Sequence, residues 1–497
     1  MMTRALAVGM AAAVWFGAQP AGPAPPVAFE LVQPELFSAS GGQPNAWTDV
    51  DGDGDLDLFV GFRGRPNRLY RQTDGRFADV AASVGLADAV ETRAAAWGDY
   101  DADGDSDLYV GFATAEHRAK IYRNEAQGTR FVDVAHELGV SVSGVSRQPA
   151  WVDYDGDGDL DLFLAFRDQA NRLFRNDGRT FSDVTQAAGL GDARKTVGAL
   201  WWDFDRDGDL DMFVANQEGD ANGLFRNDGG RFTDVASDMG VSAAGRAADL
   251  GGVGPSLGDF DLDGDFDLFV ANYGPSALYR QGPDRRFTDV ARATGITFEG
   301  HATTSAVGDI DGDSRPDLYL GAFLAPEPHY RDWLYLNRAS TDGMQFVEAL
   351  PADLRTHDAS HGVQLVDFDR DGRLDLSLTN NDASGEHALL RNVTRIAGRG
   401  VNIVVVDDRG RLTRAGAELR VFRAGTTTLV AAAIVDSGSG YCSQNAGPVH
   451  IGLAADVARV DVEVTMPLAG RRVVTRLTAV DPAAHTRQPL VIRTPAK

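Results

Sequence analysis

Asp49-Val50-Asp51-Gly52-Asp53-Gly54-Asp55-Leu56-Asp57 stands between two short apolar runs, Ala46-Trp47 before it and Leu58-Phe59-Val60 after it. Alternate carboxylates in a tight, glycine-bearing turn can be aimed at one centre, the donor arrangement of a hard divalent cation. The flanking runs have the length of strands, so the acidic stretch reads as a strand-to-strand loop. The same nonapeptide pattern returns from Asp99, Asp153, Asp203, Asp259, Asp309 and Asp367, at intervals of 50, 54, 50, 56, 50 and 58 residues. Periods near fifty are those of propeller blades.

Each unit adds a third apolar run, such as Leu69-Tyr70 or Leu173-Phe174, and six add a fourth. The fourth reads Phe77-Ala-Asp-Val, Phe131-Val-Asp-Val, Phe181-Ser-Asp-Val, Phe232-Thr-Asp-Val and Phe287-Thr-Asp-Val, with Phe346-Val-Glu-Ala a weaker copy. It is missing after the seventh loop, but Phe29-Glu-Leu-Val precedes the first. The amino-terminal segment is thus expected to supply the outer strand of the last blade and close the ring, since an open array would leave strand edges and apolar faces bare. Trp47, Trp97, Trp151 and Trp201 each lie two residues before a loop and read as packing between blades.

The side-chain ligands expected are Asp49, Asp51, Asp53 and Asp57 in the first loop and Asp99, Asp101, Asp103 and Asp107 in the second. They are Asp153, Asp155, Asp157 and Asp161 in the third, and Asp203, Asp205, Asp207 and Asp211 in the fourth. The fifth offers Asp259, Asp261, Asp263 and Asp267, the sixth Asp309, Asp311, Asp313 and Asp317, and the seventh Asp367, Asp369, Asp371 and Asp375. Oxygen-only donors in this number favour calcium, up to seven ions, over zinc, copper or the stricter octahedron of magnesium. A helix-loop-helix calcium site would carry a glutamate at position 12, where these loops have Val60, Val110, Leu164, Val214, Val270, Leu320 and Leu378. The loops hold 33 of the 72 acidic residues. Two carboxylates 4 Å apart repel by about 4 kcal/mol at an effective dielectric of 20, so such crowding calls for a counter-charge. The sixth loop has Ser314 where the others have glycine and is expected to bind most weakly; the seventh, with Arg373 at a carbonyl-donor position, is expected to bind.

The formal net charge of −25 over 497 residues argues against a nucleic-acid backbone as partner and against docking on anionic lipid. A lone cysteine, Cys442, excludes an intramolecular disulfide framework and a thiolate zinc cluster, and reads as a buried inert thiol. Met1-Met2-Thr3-Arg4 followed by the apolar run Ala5 to Phe16 fits a secretory signal peptide, too short to span a bilayer, so a secreted or periplasmic location is expected.

The acidic loops with their strand contexts resemble the FG-GAP or VCBS repeats of integrin alpha-chain propellers over about three quarters of the chain. That resemblance implies calcium held between two strands of each blade. Beyond Asn392 the pattern changes to short alternating apolar runs, such as Val401-Asn-Ile-Val-Val-Val, expected of a small β-sandwich. Arg414-Ala-Gly-Ala-Glu-Leu, Gly438-Ser-Gly-Tyr-Cys-Ser-Gln and His450-Ile-Gly-Leu resemble the ASPIC/UnbV domain, which follows such a propeller in the cartilage acidic protein family and its bacterial relatives. Met466-Pro467 departs from the Trp-Pro of that family. The architecture expected is all-β: signal peptide and linker over 1–28, a seven-bladed propeller over 29–395 and an ASPIC/UnbV-like domain over 396–497.

Two functional classes follow. One is a calcium-stabilised binding or adhesion module for a protein or glycan partner. The other is a calcium-dependent enzyme with its active site at the mouth of the propeller channel. Glu91, Arg93, Arg147, Lys195, His301, His357, Asp358 and His361 all precede acidic loops by at most ten residues and could converge around the axis. An ordinary polar rim is the plainer expectation, on the reading that the sequence carries neither a G-x-S-x-G nucleophile motif nor H-E-x-x-H. His450 is expected to pack or cap a turn. Tyr441 and Gln444, flanking Cys442, read at most as an interaction patch.

Overall fold

The computed structural model describes residues 26–495 apart from 323–330, 342, 353, 355–359, 383–386 and 439, so the expected signal peptide lies outside the described residues. Seven antiparallel four-stranded meanders follow one another, each with its acidic loop between first and second strands. In the third blade the strands are Ser146–Val152, Asp161–Phe166, Arg172–Asn176 and Phe181–Asp183. The seventh has Ser360–Val366, Asp375–Asn380 and Ala388–Asn392, and takes its outer strand, Phe29–Leu31, from the amino-terminal segment. Phe29 stands opposite Asn392 and Leu31 opposite Leu390, so the ring is closed by main-chain pairing between the two ends of the repeat array. Val27 and Phe29 are buried with Leu376 and Leu390 of that blade.

Blades pack on one another through the tryptophans and the fourth-strand phenylalanines. Trp97 lies 6.3 Å from Phe59, Trp151 6.2 Å from Tyr100 and Trp201 5.5 Å from Phe163, each of the preceding blade, while Phe131, Phe181 and Phe232 of their own blades pack on them at 5.9, 6.1 and 5.8 Å. The indole nitrogens of Trp97 and Trp151 donate to Ala46 O and Ala96 O of the preceding blades, at 3.1 and 3.2 Å. These residues are scaffold, as their spacing predicts.

A second inter-blade tie was not read from the sequence. An Asn or Gln in the third strand of every blade is buried and donates its amide backwards around the ring. Asn176 Nδ2 reaches Tyr100 O of the preceding blade at 2.8 Å and Leu160 O of its own loop at 3.1 Å. Asn124, Asn227, Gln281, Asn337 and Asn392 repeat the reach to the blade before. Gln72 closes the circle on Phe368 O at 3.2 Å. Asn176→Ala would leave two buried carbonyls without a donor, and a loss of about 2–4 kcal/mol is expected in chemical denaturation. A loss below about 0.5 kcal/mol would show that the tie is idle.

The carboxy-terminal part folds as a sandwich. One sheet joins Arg399–Val406, Val449–Leu453 and Leu490–Arg493; the other joins Glu418–Arg423, Leu429–Ile434, Val460–Pro467 and Arg472–Val480. Met466, in place of the expected tryptophan, fills its core with Ile403, Leu419 and Val464.

This sandwich sits on the acidic-loop face of the ring. Arg411 donates to Gly158 O (3.2 Å) in the third loop, Arg472 pairs with Asp203 (3.0 Å) in the fourth, and Arg420 donates to Gly264 O (2.7 Å) in the fifth. Ala454 N reaches Ser314 Oγ (2.6 Å) in the sixth, and Asn402 reaches Asp367 (2.7 Å) in the seventh. His450 is half-buried and bonds Gly372 O at 3.1 Å, a packing role as expected.

Between the sandwich strands, the segment around Tyr441 and Cys442 enters the propeller channel and is no surface patch. Its strand Ser443–Asn445 runs parallel to Asn45–Trp47 of the first blade's inner strand. Gly440 N donates to Pro255 O (2.6 Å), Cys442 O accepts from Asn45 N (3.0 Å), and Gln444 bonds both main-chain groups of Trp97 (2.8 and 3.0 Å). Cys442 is buried, and burial pushes its thiol up to about 11, which keeps it protonated and inert.

Candidate metal centres

Each loop is built to the same geometry. The fourth and sixth residues are left-handed throughout: Gly52 and Gly54 in the first loop (φ +74° and +92°), Arg206 and Gly208 in the fourth (+65° and +98°). This alternation turns successive main-chain N–H groups onto the first aspartate. Asp49 accepts from Gly52 N (2.8 Å) and Gly54 N (2.9 Å), and Asp259 from Asp263 N and Gly264 N (both 3.0 Å). The sixth residue is left-handed even at Ser314 (φ +77°), where a side chain costs about 1–2 kcal/mol.

The ninth residue of every loop is a fully buried aspartate held by two main-chain donors. Asp161 accepts from Tyr154 N (3.2 Å) and Asn176 N (2.8 Å), and Asp317 from Ile310 N and Asn337 N (both 2.8 Å). Asp57, Asp107, Asp211, Asp267 and Asp375 repeat the arrangement. These carboxylates link the loop to the amide-bearing third strand, so site and inter-blade tie are one structure.

Ligand atoms of three carboxylates lie within 4.8 Å of one another in the first five loops. They are Asp49, Asp51 and Asp53; Asp99, Asp101 and Asp107; Asp153, Asp155 and Asp161; Asp203, Asp205 and Asp211; and Asp259, Asp261 and Asp263. Fit to a cation is supported by oxygens with nothing else to bind. Asp153 Oδ1, Asp203 Oδ1 and Asp311 Oδ1 are buried and accept no hydrogen bond. All-oxygen donors with unsatisfied lone pairs match calcium chemistry.

Arginines of their own blades stand beside ligand carboxylates in the first and fifth loops, Arg71 with Asp51 (3.3 Å) and Arg280 with Asp261 (3.9 Å), and more closely in the sixth and seventh. Arg338 bridges Asp311 and Asp313, placing a guanidinium among the sixth loop's carboxylates. In the seventh, Arg391 pairs with Asp369 (2.6 Å) and Arg373 with Asp371. The weakness expected of the sixth loop from Ser314 gains a second cause, because among the described residues only Arg338 spans two carboxylates of one loop as a competing cation.

Burial raises these carboxyls steeply. Desolvation lifts Asp57, Asp153 and Asp203 to about 7, Asp259 to about 8, and Asp107 and Asp161 to about 9, with neighbouring aspartates adding to it. A carboxyl whose folded pKa lies above its unfolded value stabilises the fold while protonated, and that stability is lost as pH rises between about 4 and 9. The melting temperature of chelator-treated protein is therefore expected to fall between pH 5.5 and 8.5. Added divalent ion should restore more at pH 8.5 than at 5.5, since cations displace the protons. Equal ion-induced shifts at both pH values would contradict this.

Of the channel residues singled out in sequence, the structure gathers some and not others. Arg93 Nη1 lies 3.0 Å from His361 Nε2 and its Nη2 is 3.0 Å from Glu91. Arg147 is buried close by. Lys195 instead pairs with Glu218 (2.8 Å), and His301 stacks on Tyr273 (4.4 Å). His357 and Asp358 lie outside the described residues. Against the expectation that no G-x-S-x-G motif is present, Gly254-Pro255-Ser256-Leu257-Gly258 fits its letters, but it lies inside the strand Gly251–Gly258 and not at a strand-to-helix turn. Ser256 Oγ is buried against Ser305 Oγ (2.6 Å), so no exposed nucleophile results.

A closed ring of seven acidic-loop blades, roofed by a β-sandwich, defines an acidic-loop β-propeller. The model for the FG-GAP-like repeat matches residues 49–110, 111–164, 153–214, 203–270 and 259–320, and the chain belongs to that family. It is similar to cartilage acidic protein 1 of Xenopus tropicalis, 28% identical over 274 residues, which are 51% of this chain and 39% of that protein. The Homo sapiens protein of the same name is 28% identical over 275 residues, covering 51% and 38%. The chain thus covers about two fifths of the length of these relatives. Among solved structures, Saccharomyces cerevisiae Sqt1 aligns with TM-score 0.44 and 8% identity over 72% of this chain and 98% of that one. An Agrocybe aegerita lectin specific for non-reducing terminal N-acetylglucosamine aligns with TM-score 0.40 and 17% identity over 74% and 94%.

Proposed function

We propose that this protein is an exported, calcium-loaded binding module, in which up to seven ions stiffen the ring and the surfaces away from the sandwich meet a protein or glycan partner. The observation that carries the reading is the recurrence of convergent aspartates around the ring, with buried oxygens on Asp153, Asp203 and Asp311 that accept nothing. The apolar segment Ala5 to Phe16 supports export. Among the described residues no helix is long and apolar enough to cross a membrane.

Calorimetric titration of the chelator-treated chain tests this directly. Calcium is expected to bind at several equivalents, with magnesium at least tenfold weaker, and Asp155→Asn to remove one equivalent. Absence of calcium uptake would sink the proposal. The second reading, an enzyme at the channel end remote from the sandwich, is favoured by one contact, that of Arg93 with His361. Replacing His301 and His361 by glutamine leaves partner binding unchanged on the first reading and abolishes turnover on the second.

A further inference from the structure

The inner strand of every blade carries a β-bulge near its start, at the channel end away from the acidic loops. Bulges re-aim side chains, and here they line the channel with two unlike halves. Blades four, five and six place Val197, Val253 and Thr303 at the bulge; blades seven, one, two and three place His361, Gln43, Arg93 and Arg147. The tip of the inserted segment forms the floor. Tyr441 and Cys442 pack on Val197 and Val253, with half-buried Tyr273 beside them, and the Tyr441 ring lies 5.2 Å from His361.

Among the described residues the charge on the polar half does not balance. Arg147 is 7% exposed, and its guanidinium donates one hydrogen bond, to Ser146 O at 2.8 Å, with no carboxylate among the described residues within ion-pairing distance. Its charged neighbours are Arg93 and Arg167, both cations. Arg93 has Glu91 as its single acidic partner, while its Nε is buried without an acceptor. Glu91 is shared with Arg63 and Gln43, and Arg167 is already paired with Glu218. Burial and the two guanidiniums hold His361 neutral. A buried, unpaired cation is unfavourable, more so beside a second one. This concentration of positive charge stands in a chain of net −25.

We propose that this end of the channel binds a small organic carboxylate, its charge held by Arg147 and Arg93 and its apolar body laid against the half-buried ring of Tyr273. Guanidinium forks match a carboxylate bidentately. The site is independent of the acidic loops, so failure of calcium binding and failure of this proposal read out separately.

The test is ligand-observed fluorine NMR with 4-fluorobenzoate on the full chain in calcium-containing buffer, with 4-fluorobenzyl alcohol as the uncharged control. The carboxylate is expected to bind at one equivalent and the alcohol at least tenfold more weakly. Arg147→Met should weaken the carboxylate at least tenfold. Tyr273→Ala, at a half-buried ring, should weaken it 3- to 10-fold and decides the question should the arginine variant fail to fold. Equal binding of acid and alcohol, no binding of the acid at 10 mM, or unchanged affinity in whichever variants fold would overturn the proposal. Displacement of 4-fluorobenzoate by inorganic phosphate at equal or lower concentration would also overturn it, by showing that the site takes a bare oxyanion.

Discussion

Stripping divalent ions with EDTA at pH 7.5 is expected to lower the melting temperature by about 10 °C. At a dissociation constant of about 0.1 mM, typical of extracellular modules, 1 mM calcium stabilises by about 1.4 kcal/mol per site. Six or seven sites then contribute about 8–10 kcal/mol, comparable with the whole stability of an ordinary domain. Unfolding entropy near 2.1 cal/mol/K per residue converts this to about 10 °C for a chain of this size. The effect is enlarged by the buried carboxyls, since without ions Asp107, Asp161 and Asp259 must be protonated or repel. Differential scanning calorimetry with and without 2 mM calcium measures it. A shift below about 2 °C would mean that the loops hold the ring without metal.

Removal of residues 1–32 should be nearly as damaging. The deletion takes away the pairing of Phe29–Leu31 with Leu390–Asn392 and the bonds of Ala28 with Val393 (2.9 Å) and Thr394 (3.1 Å). It also uncovers apolar surface, because Val27, Phe29 and Val32 are buried at the junctions of the seventh blade. Burial of three such side chains is worth about 5–8 kcal/mol. The strand Ala388–Asn392 would become a bare edge, a template for self-association. The shortened chain, made without export, is expected to elute as soluble oligomers and to melt at least 5 °C lower. A synthetic peptide of residues 26–33 should return part of the loss. A monomer of unchanged melting temperature would show that the ring is closed by other contacts.

Much of this design could be read in advance because it repeats. Seven acidic loops at near-equal spacing define blades, and the missing fourth run after the last, with a spare copy at Phe29, predicts how the ring closes. What was missed has other physical origins. The amide tie has a signal, the Arg71-Gln72, Arg123-Asn124 and Arg175-Asn176 pairs that recur in third strands, but its meaning depends on which carbonyl of the neighbouring blade faces it. The occupied axis had no local signal. Cys442 meets Arg93 O across 349 residues, and Gly438-Ser-Gly-Tyr-Cys by itself reads only as a turn. Arg338 was invisible as a rival cation because it lies two positions beyond the arginine register of the other blades, where Leu336 stands. The gathering of Arg93, Arg147 and His361 follows from ring closure and bulge placement, which spacing alone does not fix.

The inserted segment imposes an order of assembly. A finger that pairs with the first blade, meets the fifth at Pro255 O and bonds Thr304 in the sixth has no docking groove until the circle is complete. The domain following the propeller in the chain must therefore finish last, and its arrival reports that every blade is in place.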